Sequence, residues 1–194
     1  MKKQAAFVGI DPSISNTGLV VLDTYGKLLH FADGKNSYGK EQYSYDIDRY
    51  LCQSVYIVHI LQKYSARAIC YEHYAFNSVH QAYSLAEYGG VLKAQIYAAC
   101  NREVELVAPL RNKKFATGCG TADKKMMQRQ AGAECPELAG ASDDVCDAYF
   151  LAKYGFYKQF PQRAVQLDRG NPHLRTRLEM TMCLEMTMEE KNNG

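Results

Sequence analysis

Four carboxylates in this 194-residue chain stand where chemistry can use them. Asp11 closes the apolar run Phe7-Val8-Gly9-Ile10 and precedes Pro12, which cannot donate to a sheet ladder, so its carboxylate should project from a strand end. Glu72 ends a second run, residues 66–71, in the same way. Asp144 and Asp147 lie three residues apart behind Ser142, which reads as the N-cap of a helix carrying both acids on one face. Asp143 is four residues from Asp147 and competes with Asp144 for that face. Each acid alone has an ordinary explanation, a turn cap or a charge at a helix N-terminus. Gathered at one sheet edge they would repel one another unless a dication neutralised them. Mg²⁺ suits such a set, because it takes hard oxygen ligands through few carboxylates. Two such ions about 3.5–4 Å apart clamp the attacking and leaving oxygens of an in-line phosphodiester cleavage.

A second chemical feature is basic. Arg111, Lys113, Lys114, Lys124, Lys125 and Arg129 share a short stretch with a single acid, Asp123, although net charge is only +2. A solvated helix face and a row of phosphate contacts both fit that pattern. On the second reading Lys113, Lys114, Lys124 and Lys125 bind DNA backbone.

The elements that must position these groups follow from periodicity. Residues 7–11, 19–22 and 28–32 read as three consecutive antiparallel strands joined by turns. Residues 43–64 carry apolar positions at helical spacing, 66–71 form a fourth strand, and 81–100 a second long helix. The Gly89-Gly90 pair in that helix suggests a close backbone approach. Residues 104–107 read as a fifth strand, Gly118-Cys119-Gly120 as a loop, and Thr121 as the N-cap of the helix that follows. This order describes an α/β fold, a five-stranded mixed sheet flanked by helices, with acids at the ends of the first and fourth strands. Residues 178–189 alternate Leu and Met with polar residues, a strand period in residues that favour helix. They read as a mobile tail, an added edge strand or a partner-binding segment.

Length permits one domain with an adequate core. No apolar run approaches the roughly 20 residues that span a bilayer, and the N-terminus lacks a signal-peptide pattern, so a cytoplasmic protein without a membrane partner is expected. Seven scattered cysteines lack metal-ligand spacing and read as reduced core residues; five dispersed histidines argue against structural zinc.

The sequence resembles the RuvC-type Holliday-junction resolvases of the RNase H-like superfamily. The resemblance rests on GIDPSISNTG at 9–18, the strand-end acid in CYEHYAF at 70–76, AYSLAEYGG at 82–90, KKFATGCGTADK at 113–124 and DDVCDA at 143–148. It implies an RNase H-like nuclease domain over residues 1–160, with 161–194 as a C-terminal extension. It further implies that Asp11, Glu72, Asp144 and Asp147 are catalytic metal ligands for Mg²⁺ or Mn²⁺. Lys113 and Lys124 fall where the family places lysines important for the cleaved phosphate and the junction backbone. Family members open the junction centre with an aromatic after the strand-end acid, and Tyr74 and Phe76 bracket that position. They act as homodimers, nicking two opposed strands of a four-way junction in DNA recombination and repair. Three alternatives compete: an RNase H-like enzyme on flap or hybrid substrates, a non-catalytic junction-binding module, and a sugar-kinase-like ATPase. The last needs a duplicated domain for which the chain is too short.

Overall fold

In the computed structural model, residues 3–32, 45–73 and 79–182 are described, the side chains of 79–82 excepted. The elements run β1 (Gln4–Asp11), β2 (Gly18–Asp23), β3 (Leu28–Ala32), α1 (Asp46–Leu61), β4 (Tyr64–Glu72), α2 (Val79–Cys100) and β5 (Glu105–Val107). Then come α3 (Pro109–Thr117), α4 (Lys124–Glu134), a 3-10 turn (Pro136–Leu138), α5 (Asp143–Gln159) and α6 (Pro161–Leu167). Residues 174–182 are helical as well. The strands form the expected five-stranded mixed sheet in the order β3-β2-β1-β4-β5. β1 is antiparallel to β2 and parallel to β4, so the two acid-tipped strands are neighbours pointing the same way.

Strand alternation sorts the core into two layers. Ala6, Val8 and Ile10 of β1, with Ile69 and Tyr71 of β4, pack beneath α1 and α2. Phe7 of β1 and Cys70 of β4 face α5 on the opposite side. Asp11 and Glu72 continue the second set by parity, so both acids emerge on the α5 side. α5 is apolar nearly all round because it is enclosed by sheet and outer helices, and the ten consecutive residues 148–157 are all buried.

Two glycines of the first hairpin let α5 lie directly on the sheet. A Cβ on Gly9 would stand 1.8 Å from the Ala148 carbonyl oxygen, and one on Gly18 2.0 Å from that of Asp144. Any side chain there would lift the N-terminal half of α5 away from β1.

On the outer side of α5 a buried ionic cluster ties in the C-terminal residues. Arg177, fully buried, pairs with Glu134 at 2.6 Å and Asp168 at 2.6 Å, while Lys153 pairs with the same two carboxylates. Removing one member of such a buried set costs on the order of 3–5 kcal/mol, because the others are left uncompensated.

Several expectations change. Pro109 occupies the first turn of α3, where its missing N–H is harmless, so the basic stretch begins inside a helix. The N-cap of α4 is Asp123, whose carboxylate accepts from the Met126 amide, rather than Thr121. Gly90 faces open space and marks no close approach. Residues 178–182 are helical, so Leu, Met and Glu follow their propensity and not the alternation; residues 183–194 lie outside the described residues. Cys70, Cys135 and Cys146 are core residues as expected, but Cys119 is exposed.

Candidate active site

Ile10 pairs with Tyr71 in the parallel β1–β4 register, which sets the next residues, Asp11 and Glu72, side by side at the two strand ends. α5, held close by Gly9 and Gly18, adds Asp147 from its second turn. Carboxylate oxygens of Asp11, Glu72 and Asp147 all lie within 4.8 Å of one another. Asp147 Oδ1 is buried with no hydrogen-bond partner, an arrangement costly for a carboxylate unless something else coordinates it. These acids line a cleft of ≈ 300 Å³ together with Lys113, Lys124, Asp143 and Asp144.

The electrostatics match that crowding. Burial, then the charges of Glu72, Asp147 and Asp144, push the Asp11 carboxyl well above its usual range. Burial also raises Glu72, against the opposing effects of its hydrogen bond with Asp11 and the Lys113 charge. Asp147 is pushed up to about 8 by burial and by Glu72, with Lys113 again opposing. Carboxyls crowded in this way favour their protonated forms, and a bound dication would displace those protons.

Of the four acids proposed as ligands, three converge and the fourth is held at the rim. Asp144 Oδ2 accepts a hydrogen bond from Asn16 Nδ2 at 2.5 Å. Asp143 forms an ion pair with Lys124, whose ammonium is raised in pKa by that hydrogen bond and charge. The two neighbours thus do different things: one contacts the motif loop, the other a surface lysine. Lys113 is half-buried, whereas Lys114, Lys124 and Lys125 are exposed. Tyr74 and Phe76 lie outside the described residues.

Three supports went unread in the sequence. Thr17, fully buried, joins its hydroxyl to Tyr88 Oη at 2.8 Å and to the Ser13 carbonyl at 2.8 Å, while Gln53 donates to the Ile14 carbonyl at 2.8 Å. Residues 13–17 are thereby fastened to α1 and α2, and Asn16 is aimed at Asp144. Asn112, also buried, donates to the Asp147 carbonyl at 3.1 Å, which docks α3 on α5 and turns the adjacent Lys113 toward the cleft. Asn16 lies within the GIDPSISNTG run, which carries no sign of its partner, and nothing but its place beside Lys113 marks Asn112.

Oxygen donors alone, three converging carboxylates and an orphaned Asp147 oxygen fit a hard dication. Acids on adjacent ends of parallel strands, completed by an acid from a helix laid across the sheet, define the RNase H-like class of fold and site. Within that class the chain belongs to the RuvC family: residues 7–135 match the family described as Crossover junction endodeoxyribonuclease RuvC. The fold is similar to that of Thermus thermophilus RuvC, with a TM-score of 0.62, 20% identity, and 81% of this chain and 96% of that chain covered. It is equally similar to T. thermophilus RuvC in complex with a Holliday junction substrate, with a TM-score of 0.61, 19% identity, and 84% and 96% covered. No curated protein matches the sequence significantly.

Proposed function

We propose that this protein is a metal-dependent, structure-selective DNA endonuclease that resolves four-way junctions by paired nicks, in DNA recombination and repair in the cytoplasm. The single observation that carries this reading is the convergence of Asp11, Glu72 and Asp147 within 4.8 Å, one oxygen lacking any partner, in a chain of the RuvC family.

Asp11, Glu72 and Asp147 hold the cation, Mg²⁺ by the hardness of the donors and Mn²⁺ as a substitute, with Asp144 as an outlying ligand oriented by Asn16. A bound ion supplies Lewis acidity to the scissile phosphate and a more acidic water. Lys113 already offsets the charge of Glu72 and Asp147, and in the complex it holds a phosphate oxygen beside them. Lys124 trades Asp143 for a backbone phosphate, and Lys114 and Lys125 extend the track. Tyr74 and Phe76 remain the aromatics proposed for the junction centre.

The active species is a homodimer, since one acid cluster serves one nick and a two-fold junction needs two. Tyr88, Leu92 and Ile96 of α2 are core residues and contribute nothing to that interface. Exposed Tyr83 and Tyr97 of α2 and the α1 stripe Ile47, Leu51 and Val55 offer apolar surface for it.

The test is cleavage of end-labelled four-way junction, Y-fork, duplex and RNA–DNA hybrid with Mg²⁺ or EDTA. Mg²⁺-dependent symmetric cuts confined to the junction are expected. Preference for the hybrid would replace this reading with a ribonuclease H activity, and inactivity on every substrate would reduce the protein to a binding module.

A further inference from the structure

Arg177 lies far beyond residues 7–135, yet it is among the largest fully buried side chains of the described residues. Its guanidinium reaches both lysine-bearing helices at their C-terminal ends. Nε donates to the Phe115 carbonyl at 2.9 Å and Nη2 to the Ala116 carbonyl at 2.9 Å, two acceptors that the last turn of α3 leaves without intrahelical donors. A cation is also the favoured charge at that end of a helix. The same guanidinium grips Glu134, the final residue of α4, through Nη2 at 2.6 Å and Nη1 at 3.0 Å. Nη1 also meets Asp168 at 2.6 Å, which anchors the arginine to the end of α6. His173 closes the arrangement: its Nδ1 lies 3.0 Å from where a Cβ of Gly118 would stand, against the left-handed C-cap of α3.

We propose that residues 161–182 form a strap in which Arg177 is a positioning residue, locking α3 and α4 together so that Lys113 and Lys124 meet the DNA at a fixed spacing. This rests on the reading of those lysines as phosphate contacts. The two helices are linked through residues 118–123 and also pack on each other and on α5; among the described residues, the other buried cation at their shared ends is Lys153, which pairs with Glu134. Electrostatics agree with a tight grip. Burial alone would raise the Glu134 carboxyl, but hydrogen bonds from Arg177 and the charge of Lys153 bring it down to about 2.

The experiment compares Arg177→Lys, which keeps the charge but loses the fork, with the charge-balanced pair Arg177→Met/Glu134→Gln. Amide hydrogen exchange is read at 113–118 and 131–135, with 6–10 of β1 as the folding control, alongside junction cleavage kinetics. The expected result is intact protection in β1, faster exchange at both helix ends, and a fall in kcat/KM of about 10- to 100-fold carried mainly by KM. In a Lys113→Ala/Lys124→Ala background the same substitutions should add almost nothing. Losses that add fully in that background, or β1 protection falling with the rest in both variants, would overturn the strap and leave Arg177 a fold-stabilising residue. Full activity of the Lys113→Ala/Lys124→Ala parent would instead overturn the reading of the lysines on which the strap depends.

Discussion

At the scale of the residue, neighbouring Asp143 and Asp144 separate by partner. Asp143 caps the helix end electrostatically, worth about 0.3–1 kcal/mol, and pairs with exposed Lys124, a contact of small energy. Asp144 is aimed by Asn16 at the acid cluster whose members it already perturbs. Asp144→Asn should therefore lose far more cleavage than Asp143→Asn, and Asn16→Ala should weaken Mg²⁺ affinity by about 10-fold, as seen on losing a ligand's hydrogen-bonded support. A dead Asp143→Asn beside an active Asp144→Asn would exchange the assignments. The acids also set a pH dependence. Asp147 titrates at about 8 in the folded protein against 3.8 as the ordinary value, so the metal-free fold retains a proton that the unfolded chain gives up. That contribution is complete below about pH 4 and is withdrawn as pH climbs through 8. Melting temperatures in EDTA should fall over this window, and Mg²⁺ should restore most at its alkaline end while releasing protons into the buffer. A flat profile in EDTA would mean that the acids are not crowded as described.

At the scale of the element, what the sequence disclosed was whatever one strand or helix writes in its own periodicity. Runs 7–11 and 66–71, the first closed by Asp11 and the second followed by Glu72, were readable because a short apolar run ending in an acid is a local signal. The same holds for Ser142, whose side chain accepts from the Val145 amide as an N-cap should. Hidden were features decided by another element. Gly9 looks like any glycine in a strand until α5 is laid on it. Arg177 looks like a surface charge until Glu134 and Asp168 surround it. Asn112 gains meaning only from a carbonyl 35 residues away. Gly9→Ala or Gly18→Ala should push α5 off the sheet, separate Asp147 from Asp11 and Glu72, and cut kcat by about 100-fold or more while junction binding is kept. Normal turnover in either variant would show that the close approach is not required. For α3 and α4, Lys113→Ala/Lys124→Ala should weaken junction binding across sequences and reduce its salt slope by nearly two ions. Unchanged salt dependence would return the stretch to a solvated face.

At the scale of the whole molecule, a three-layer fold gathers Asp11, Glu72 and Asp147 in one cluster at one sheet edge, and the paired nicking proposed for it would take two copies. Wild-type protein mixed with an excess of Asp11→Asn protein should nick one strand of a junction without resolving it. A monomer that makes both cuts in one encounter would rule the dimer out. No helix among the described residues is long and apolar enough to cross a membrane. The account stands most directly on Asp147, the residue that α5 delivers and whose Oδ1 has no partner. The decisive measurement is single-turnover cleavage of a labelled four-way junction in Mg²⁺ by wild type and Asp147→Asn, with binding of the same junction measured in Ca²⁺. Symmetric nicks by wild type, and none by an Asp147→Asn protein that binds the junction as tightly, are predicted. Nicking by Asp147→Asn at the wild-type rate would contradict the three-carboxylate metal site.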